Sequence, residues 1–334
     1  MDTESTPRPS MANFWHPICT SEEVGDQPRA FTLLGEQLVA FRDADGVVAM
    51  KDLCIHRGAA LSLGSVDEGR LTCAYHGWQY DRTGACVRIP SLPAGSTIPR
   101  RARAVTYRAA QAYGLVWVAL EDPIEPIPPW PLDSYDAPGF RTYLAHHKVW
   151  HGSAGRACEG ALDFSHFNHA HRGYLELANP VIHPHEIKTE GFRMSYTYDD
   201  SVVRRDYEFY SPFTMFITKY LVGSLDGSLE WDARSTSADG VTIVSQLHTP
   251  LDATNCIVYM HVTRNHSLDM DDREFAGQLG ELVADQDRLI VESQRPEQIP
   301  LDLREELHLK VPDATGIAYR RMLGKIDGAS AFIP

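Results

Sequence analysis

The chain has 334 residues, with 31 Lys and Arg against 45 Asp and Glu, a formal net charge of −14 and a pI near 5.5. That length suits two domains, or one large one, with ample core, and the acidic balance argues against general nucleic-acid binding. No apolar run approaches the roughly 20 residues of a membrane span, and six Cys without a pairing pattern suit a reducing cytoplasm better than a disulfide framework.

In chain order, residues 1–10 are polar, hold two Pro and lack an apolar signal core, so they read as a disordered lead. Residues 11–122 read as short strands and turns. Leu38–Phe41 and Val47–Met50 flank Asp43-Ala-Asp-Gly46, a hairpin signal. Ala85–Ile89 and Gly114–Leu120 are further strand candidates, and Pro90, Pro93 and Pro99 break any helix between them. A small all-β domain follows from this.

That domain carries Cys54-Ile-His56-Arg-Gly58 and, with sixteen residues intervening after His56, Cys73-Ala-Tyr-His76-Gly77-Trp78. Thiolates and imidazoles are ligands for iron or zinc. Two His in place of two Cys on one iron is the Rieske [2Fe–2S] arrangement, which raises the reduction potential. A Cys₂His₂ zinc finger places both Cys first and its His pair on a helix. Here the order is mixed, and the second pair runs into Gly-Trp. Gly58 and Gly77 suit backbone that folds tightly around a cluster.

Residues 123–131 hold five Pro and read as a stiff linker and domain boundary. A second cluster follows: Asp163, His166, His169 and His171. A helix puts Asp163 and His166 on one face. His171 is five residues from His166, about 140° around a regular helix, so His169 is the better partner if the helix stays regular. His166 and His171 share a metal only if the helix ends or widens to a π-turn, and Gly173 is a stop signal just beyond.

Residues 185–263 read as strands, such as Tyr207–Phe216 and Val241–Leu247. Asp272–Arg295 reads as one long helix with apolar positions Phe275, Leu279, Leu282, Leu289 and Ile290, ended by Pro296 and Pro300. It offers Asp285 and Asp287 as the carboxylate of a two-His-one-carboxylate iron site, and periodicity does not choose between them. Ala318–Arg321 reads as a short helix.

These two stretches resemble the Rieske non-haem iron oxygenases, of the vanillate O-demethylase, dicamba monooxygenase and saxitoxin-pathway hydroxylase type, over about residues 11–330. The resemblance implies that Cys54 and Cys73 hold one cluster iron and His56 and His76 the other. The family pattern Asp-x-x-His-x-x-x-x-His matches Asp163, His166 and His171. His166 and His171 are then ligands of a mononuclear Fe(II), and Asp163 bridges to the cluster. In the family the ligand Asp follows Glu or Gln, which favours Asp287 after Gln286. One departure is Gly160, where many members carry Asn; Glu159 is the candidate to replace it.

The implied fold is α+β: an all-β Rieske domain over 11–122, the linker 123–131, and a helix-grip-like catalytic domain with an antiparallel sheet over 132–334. The implied function is O₂-dependent hydroxylation or N- or O-demethylation of a small organic substrate. Electrons come from a separate ferredoxin or reductase, and the usual assembly is a homotrimer. The alternatives are a Rieske electron carrier or ligand-binding protein lacking catalytic iron, and a zinc-stapled structural protein. Phe209, Tyr210, Phe213, Phe216, Tyr220 and Trp231 are candidate pocket aromatics, though alternating aromatics are more often plain core. No cluster of basic residues points to a carboxylated substrate. Arg100, Arg101 and Arg103 read as a solvated face or a docking patch for an acidic electron donor.

Overall fold

The computed structural model describes residues 8–172, 177, 179–199, 204–220, 224–225, 228–229, 240–277 and 282–328. They form two compact units. One is Ala12–Ile127; the other is Met11 and the residues before it together with Pro128 onward.

The first unit is all-β: β1 (His16–Thr20), β2 (Arg29–Leu33), β3 (Glu36–Asp43), β4 (Gly46–Lys51), β5 (Ser65–Asp67), β6 (Arg70–Thr72), β7 (Gln79–Tyr80), β8 (Cys86–Arg88), β9 (Thr106–Ala112) and β10 (Leu115–Ala119). A six-stranded sheet runs β1-β10-β9-β4-β3-β2, and a small one runs β5-β6-β7-β8. The Asp43–Gly46 hairpin forms as its sequence signals: Asp43 pairs Gly46, and the Asp43 carboxylate accepts from the Asp45 amide at 2.9 Å. Val39, Phe41, Val48 and Met50 point into a core that also holds Leu61, Leu71, Tyr80, Cys54 and Cys73.

The second unit contains β11 (Arg141–Trp150), α1 (Ala154–Leu162), α2 (Phe167–Ala170), β12 (Ile187–Glu190), β13 (Arg193–Asp199), β14 (Arg204–Tyr210), β15 (Thr214–Tyr220), the two-residue strands β16 (Ser224–Leu225) and β17 (Ser228–Leu229), β18 (Val241–Pro250), β19 (Cys256–Arg264), α3 (Asp272–Gly277), α4 (Ala284–Ser293) and α5 (Ala314–Leu323). Its seven-stranded antiparallel sheet runs β11-β19-β18-β15-β14-β13-β12. Tyr196, Tyr207, Ile217 and Val244 stand in register on one face, and this face meets the helices. The Tyr196 hydroxyl donates to the Leu162 carbonyl at 2.7 Å, Phe164 stacks on Tyr198 at 3.9 Å, and Phe209 meets Tyr319 at 5.2 Å.

Several expectations change. The Tyr207–Phe216 stretch is a hairpin, because Pro212 offers no amide to a ladder and the chain turns there between β14 and β15. Pro9 and Ser10 are tied down rather than loose: the Asp327 amide donates to the Pro9 carbonyl at 2.8 Å. The five-proline stretch is divided, Ile127 ending the first unit and Pro128 starting the second. In the helix expected over 272–295, α3 and α4 are described, with a π-turn at 282–283, while 278–281, including Leu279, lie outside the described residues. Leu289 and Ile290, assigned to its apolar face, are 63% and 45% exposed; the buried positions of α4 are Ala284 and Val291. Residues 1–7, Gly173 and Trp231 also lie outside the described residues.

Candidate metal centres

Two loops of the all-β unit, after β4 and after β6, bring the four sequence-singled donors together by the same backbone device. In each, the glycine four residues after the cysteine donates to the cysteine carbonyl: Gly58 to Cys54 at 2.8 Å, Gly77 to Cys73 at 3.0 Å. In each, the cysteine amide donates five residues ahead, to Ala59 at 2.8 Å and to Trp78 at 2.9 Å. Both glycines are left-handed, at φ 72° and 68°. A side chain on Gly77 would also meet the Pro90 ring at 3.0 Å.

The two thiols are buried at 2% exposure each, while His56 and His76 lie further out with ring centroids 4.6 Å apart. His56 stacks on Trp78, and its Nδ1 is buried with no hydrogen-bond partner. Two thiols inside, two imidazoles outside and a ring nitrogen without a partner fit a [2Fe–2S] cluster with one Cys₂ and one His₂ iron. Tyr80, which the motif reading missed, sets its hydroxyl 3.1 Å from Cys54 Sγ. Burial raises the Cys54 thiol, and the Tyr80 hydroxyl and the His56 amide pull it back toward thiolate. The signal for Tyr80 was its place two residues past Trp78, buried in the strand that leaves the loop.

The second centre lies in the other unit. Helix α1 stops at Leu162, because Asp163 turns extended at φ −84°, ψ 134°. Asp163 and His166 therefore share no helix face. Instead the Asp163 carboxylate accepts from the Ser165 amide at 2.7 Å and lies 3.3 Å from His166 Nδ1. His166 and His171 then cap the single turn α2, so they escape the 140° separation of a regular helix: their Nε2 atoms are 3.0 Å apart. His169 is exposed.

Asp287 comes from α4, on the buried side between Ala284 and Val291. Its Oδ1 lies 3.0 Å from His171 Nε2 and 3.4 Å from His166 Nε2. Asp285 turns away, to Lys148 at 2.9 Å and Arg288 at 3.2 Å. The close approach of α4 depends on Gly152, where a Cβ would meet Val291 Cγ1 at 2.6 Å. Val291 is one turn from Asp287, so a larger residue at 152 moves the carboxylate.

The three ligand-capable atoms of His166, His171 and Asp287 all lie within 4.8 Å of one another. His171 Nδ1 is 2.9 Å from Gln286 Oε1, and His166 Nδ1 faces Asp163. With each Nδ1 proton given to its outer partner, the two Nε2 atoms and a carboxylate face one point, where a cation would take the place of the Nε2 proton. Burial would lower the His166 imidazolium, but Asp163 and Asp287 overcome it and hold the proton up to about 9. Burial would raise Asp287, and the two imidazoles outweigh it, keeping that carboxyl below its ordinary range. The donor set fits a mononuclear Fe(II) with open positions.

Gln286 was read only as the residue before Asp287, and nothing in the sequence marked its side chain as a partner of His171. Glu159 does not replace the family Asn. Its carboxylate is held by Arg320 at 2.5 and 2.7 Å, while Gly160 faces open space. Of the pocket aromatics, Phe209 lies on the helix-covered face. Tyr210, Phe216 and Tyr220 fall on the other, as two-residue alternation requires. Arg100, Arg101 and Arg103 are exposed.

Comparison with known proteins matches residues 14–107 to the Rieske [2Fe-2S] domain and 150–327 to the vanillate O-demethylase oxygenase C-terminal domain. The chain is 32% identical to the methylxanthine N1-demethylase NdmA of Pseudomonas putida over 340 residues, covering 97% of this chain and 93% of that protein. The structure of NdmA with caffeine superposes with a TM-score of 0.79 at 28% identity, covering 96% of this chain and 95% of that one. Dicamba monooxygenase bound to dicamba, at 20% identity and a TM-score of 0.74 over 94% of this chain and 96% of that one, shares the fold.

Proposed function

The chain belongs to the Rieske non-haem iron oxygenases, and from that premise we propose that it removes N- or O-methyl groups from a small organic substrate. It is an oxygenase component with a [2Fe–2S] cluster and a mononuclear iron, and it depends on a separate electron donor. The observation that carries the reading is the convergence of His166, His171 and Asp287 within 4.8 Å. We assign these three as the iron ligands, and Cys54, His56, Cys73 and His76 as the cluster ligands. Iron held by His166, His171 and Asp287 would supply O₂ activation with electrons from the cluster, the chemistry that oxidises a methyl C–H bond and releases that carbon as formaldehyde.

The chain's own residues prepare that chemistry. Asp163 and Gln286 take the Nδ1 protons and so aim both Nε2 atoms at the metal position. Asp287 adds one carboxylate, so that three protein ligands would hold the iron and leave it accessible to O₂ and water. We assign Asp163 a second role as the bridge to a cluster. Its side chain is 35% exposed while bonded to His166, as a residue reached from outside the unit needs to be. The assembly proposed is a homotrimer in which each cluster serves a neighbouring protomer. The proposed donor is a ferredoxin or reductase, and Arg100, Arg101 and Arg103 are the surface offered to it. All six Cys are unpaired, which suits the cytoplasm. Methylxanthines, on which NdmA is named to act, are the first substrates to try.

The electron-carrier alternative is not favoured, since a carrier has no use for the second centre. The test is formaldehyde release and substrate-dependent O₂ uptake with a surrogate reductase, over N-methyl and O-methyl compounds. Metal analysis should give about three irons per chain. About two irons per chain and no formaldehyde from any compound would return the carrier reading.

A further inference from the structure

The two ligand loops of the all-β unit are also joined away from their four donors. The Asp52 carboxylate, two residues before Cys54, accepts from the Ser62 amide at 2.7 Å and from the Ser62 hydroxyl at 2.6 Å. Asp52 is itself fixed to the six-stranded sheet, its amide donating to the Gln37 carbonyl of β3 at 2.9 Å. The pair therefore ties together the two ends of the loop that carries Cys54 and His56. Ser62 lies in the short turn Leu61–Leu63, and Leu61 is buried in the core that also holds Cys54 and Cys73. Just past the turn, a Cβ on Gly64 would stand 1.9 Å from the Thr72 carbonyl oxygen, and Thr72 is the residue before Cys73. The Gly64 backbone thus rests on the entry to the second loop, and Ser65 then pairs with Thr72 in the β5–β6 ladder.

Taken alone, an Asp that accepts two bonds from a Ser is more often the brace of a turn than a functional group. Two features set this one apart. It spans ten positions and encloses both donors of the first loop. Its far side continues, through the backbone contact of Gly64, to the first donor of the second loop. We infer that Asp52 and Gly64 are positioning residues for the cluster: together they set the separation of the Cys54 loop from the Cys73 loop. Donors spaced by protein contacts give up iron slowly, because breaking one bond to the metal does not let that donor swing away. This rests on the assignment of Cys54, His56, Cys73 and His76 as cluster ligands, and goes beyond it to what holds the two loops apart.

The test follows the visible absorption of the oxidised cluster in the holoenzyme under excess EDTA, with amide hydrogen exchange of β1 and β10 reporting the fold in the same samples. Asp52→Ala should lose its cluster about tenfold or more faster than the wild type, with exchange in β1 and β10 unchanged. Asp52→Asn keeps an acceptor for the Ser62 amide and should fall between the two. Gly64→Ala changes no charge and should behave like Asp52→Ala. The Asp52→Ala, Ser62→Ala double variant should lose its cluster no faster than Asp52→Ala alone, since the bond is already gone; an added loss overturns the pairing, and this comparison decides if Gly64→Ala does not fold. The g values of the reduced cluster in electron paramagnetic resonance should shift in both Asp52→Ala and Gly64→Ala, which a brace for folding alone would not cause. Cluster loss within about twofold of wild type in both variants overturns the proposal. So does loss in step with faster exchange in β1 and β10, because Asp52 would then serve folding only. Effects in both Asp52 variants with a folded Gly64→Ala unchanged would be those of charge, and also overturn it. A wild type without the Rieske spectrum would sink the ligand assignment as well, whereas a normal wild-type spectrum with unaltered variants sinks only the positioning role.

Discussion

Replacing Gln286 by Leu tests how the second centre is held. His171 is 1% exposed, and its Nδ1 proton has Gln286 Oε1 as acceptor at 2.9 Å. Leucine is close in size and removes that acceptor, leaving a buried N–H without a partner. The cost of such an orphan is about 1–3 kcal/mol, which is roughly a 10- to 100-fold change in an equilibrium constant. The same range is typical when the outer partner of a metal-bound histidine is lost. Gln286→Leu should therefore bind Fe(II) about 10- to 100-fold more weakly, measured anaerobically against a competing chelator on protein stripped of mononuclear iron. The cluster spectrum serves as internal control, because the cluster loops belong to the other unit. Gln286→Glu supplies a stronger acceptor and should bind Fe(II) at least as well as the wild type. Fe(II) affinity in Gln286→Leu within about twofold of wild type would refute the reasoning, and His171 would then need no orienting partner.

Asp163→Asn should keep the cluster and most of the iron yet lower turnover by roughly 100-fold or more, with reoxidation of the reduced cluster slowed in stopped flow; unchanged reoxidation would make Asp163 structural. His171→Ala should lose the mononuclear iron while exposed His169→Ala keeps it, and metal analysis reversed between the two would mean that the wrong pair was chosen. Tyr80→Phe removes a hydrogen bond to Cys54 Sγ that favours the more negative reduced cluster, so its potential should fall by on the order of tens of millivolts; an unchanged potential refutes that bond. Burial pushes Glu306 up, but Arg156 and Arg320 outweigh it and hold its carboxyl at about 2, below its ordinary 4.5. A depressed pKa gives stability that is present above pH 4.5 and lost as pH falls through about 2. Its size is on the order of 3 kcal/mol. Acid unfolding of Glu306→Gln should therefore converge with wild type near pH 2 and fall below it at neutral pH; parallel curves would refute the linkage.

The family and the division into two units were legible in the chain because their signals are local. Cys54, His56, Cys73 and His76 lie on two short loops, and the Asp43–Gly46 turn writes its own hairpin. The seven-stranded sheet announces itself through alternation, as in Met194, Tyr196 and Tyr198. What spacing leaves open is direction. A regular-helix count misplaces Asp163 against His166, because an extended residue ends α1 and a turn replaces the helix face. Leu289 and Ile290 look like the inner stripe of α4, yet the contact of Gly152 with Val291 turns that helix so that Asp287 faces the histidines. No sequence window contains Arg205, Lys219 and Arg264 together. They are 59 positions apart from first to last, and only the antiparallel register of β14, β15, β18 and β19 lays them in one row. Local rules act within a few residues of the backbone, whereas a row of buried charges is assembled from strands that meet only once the sheet has formed.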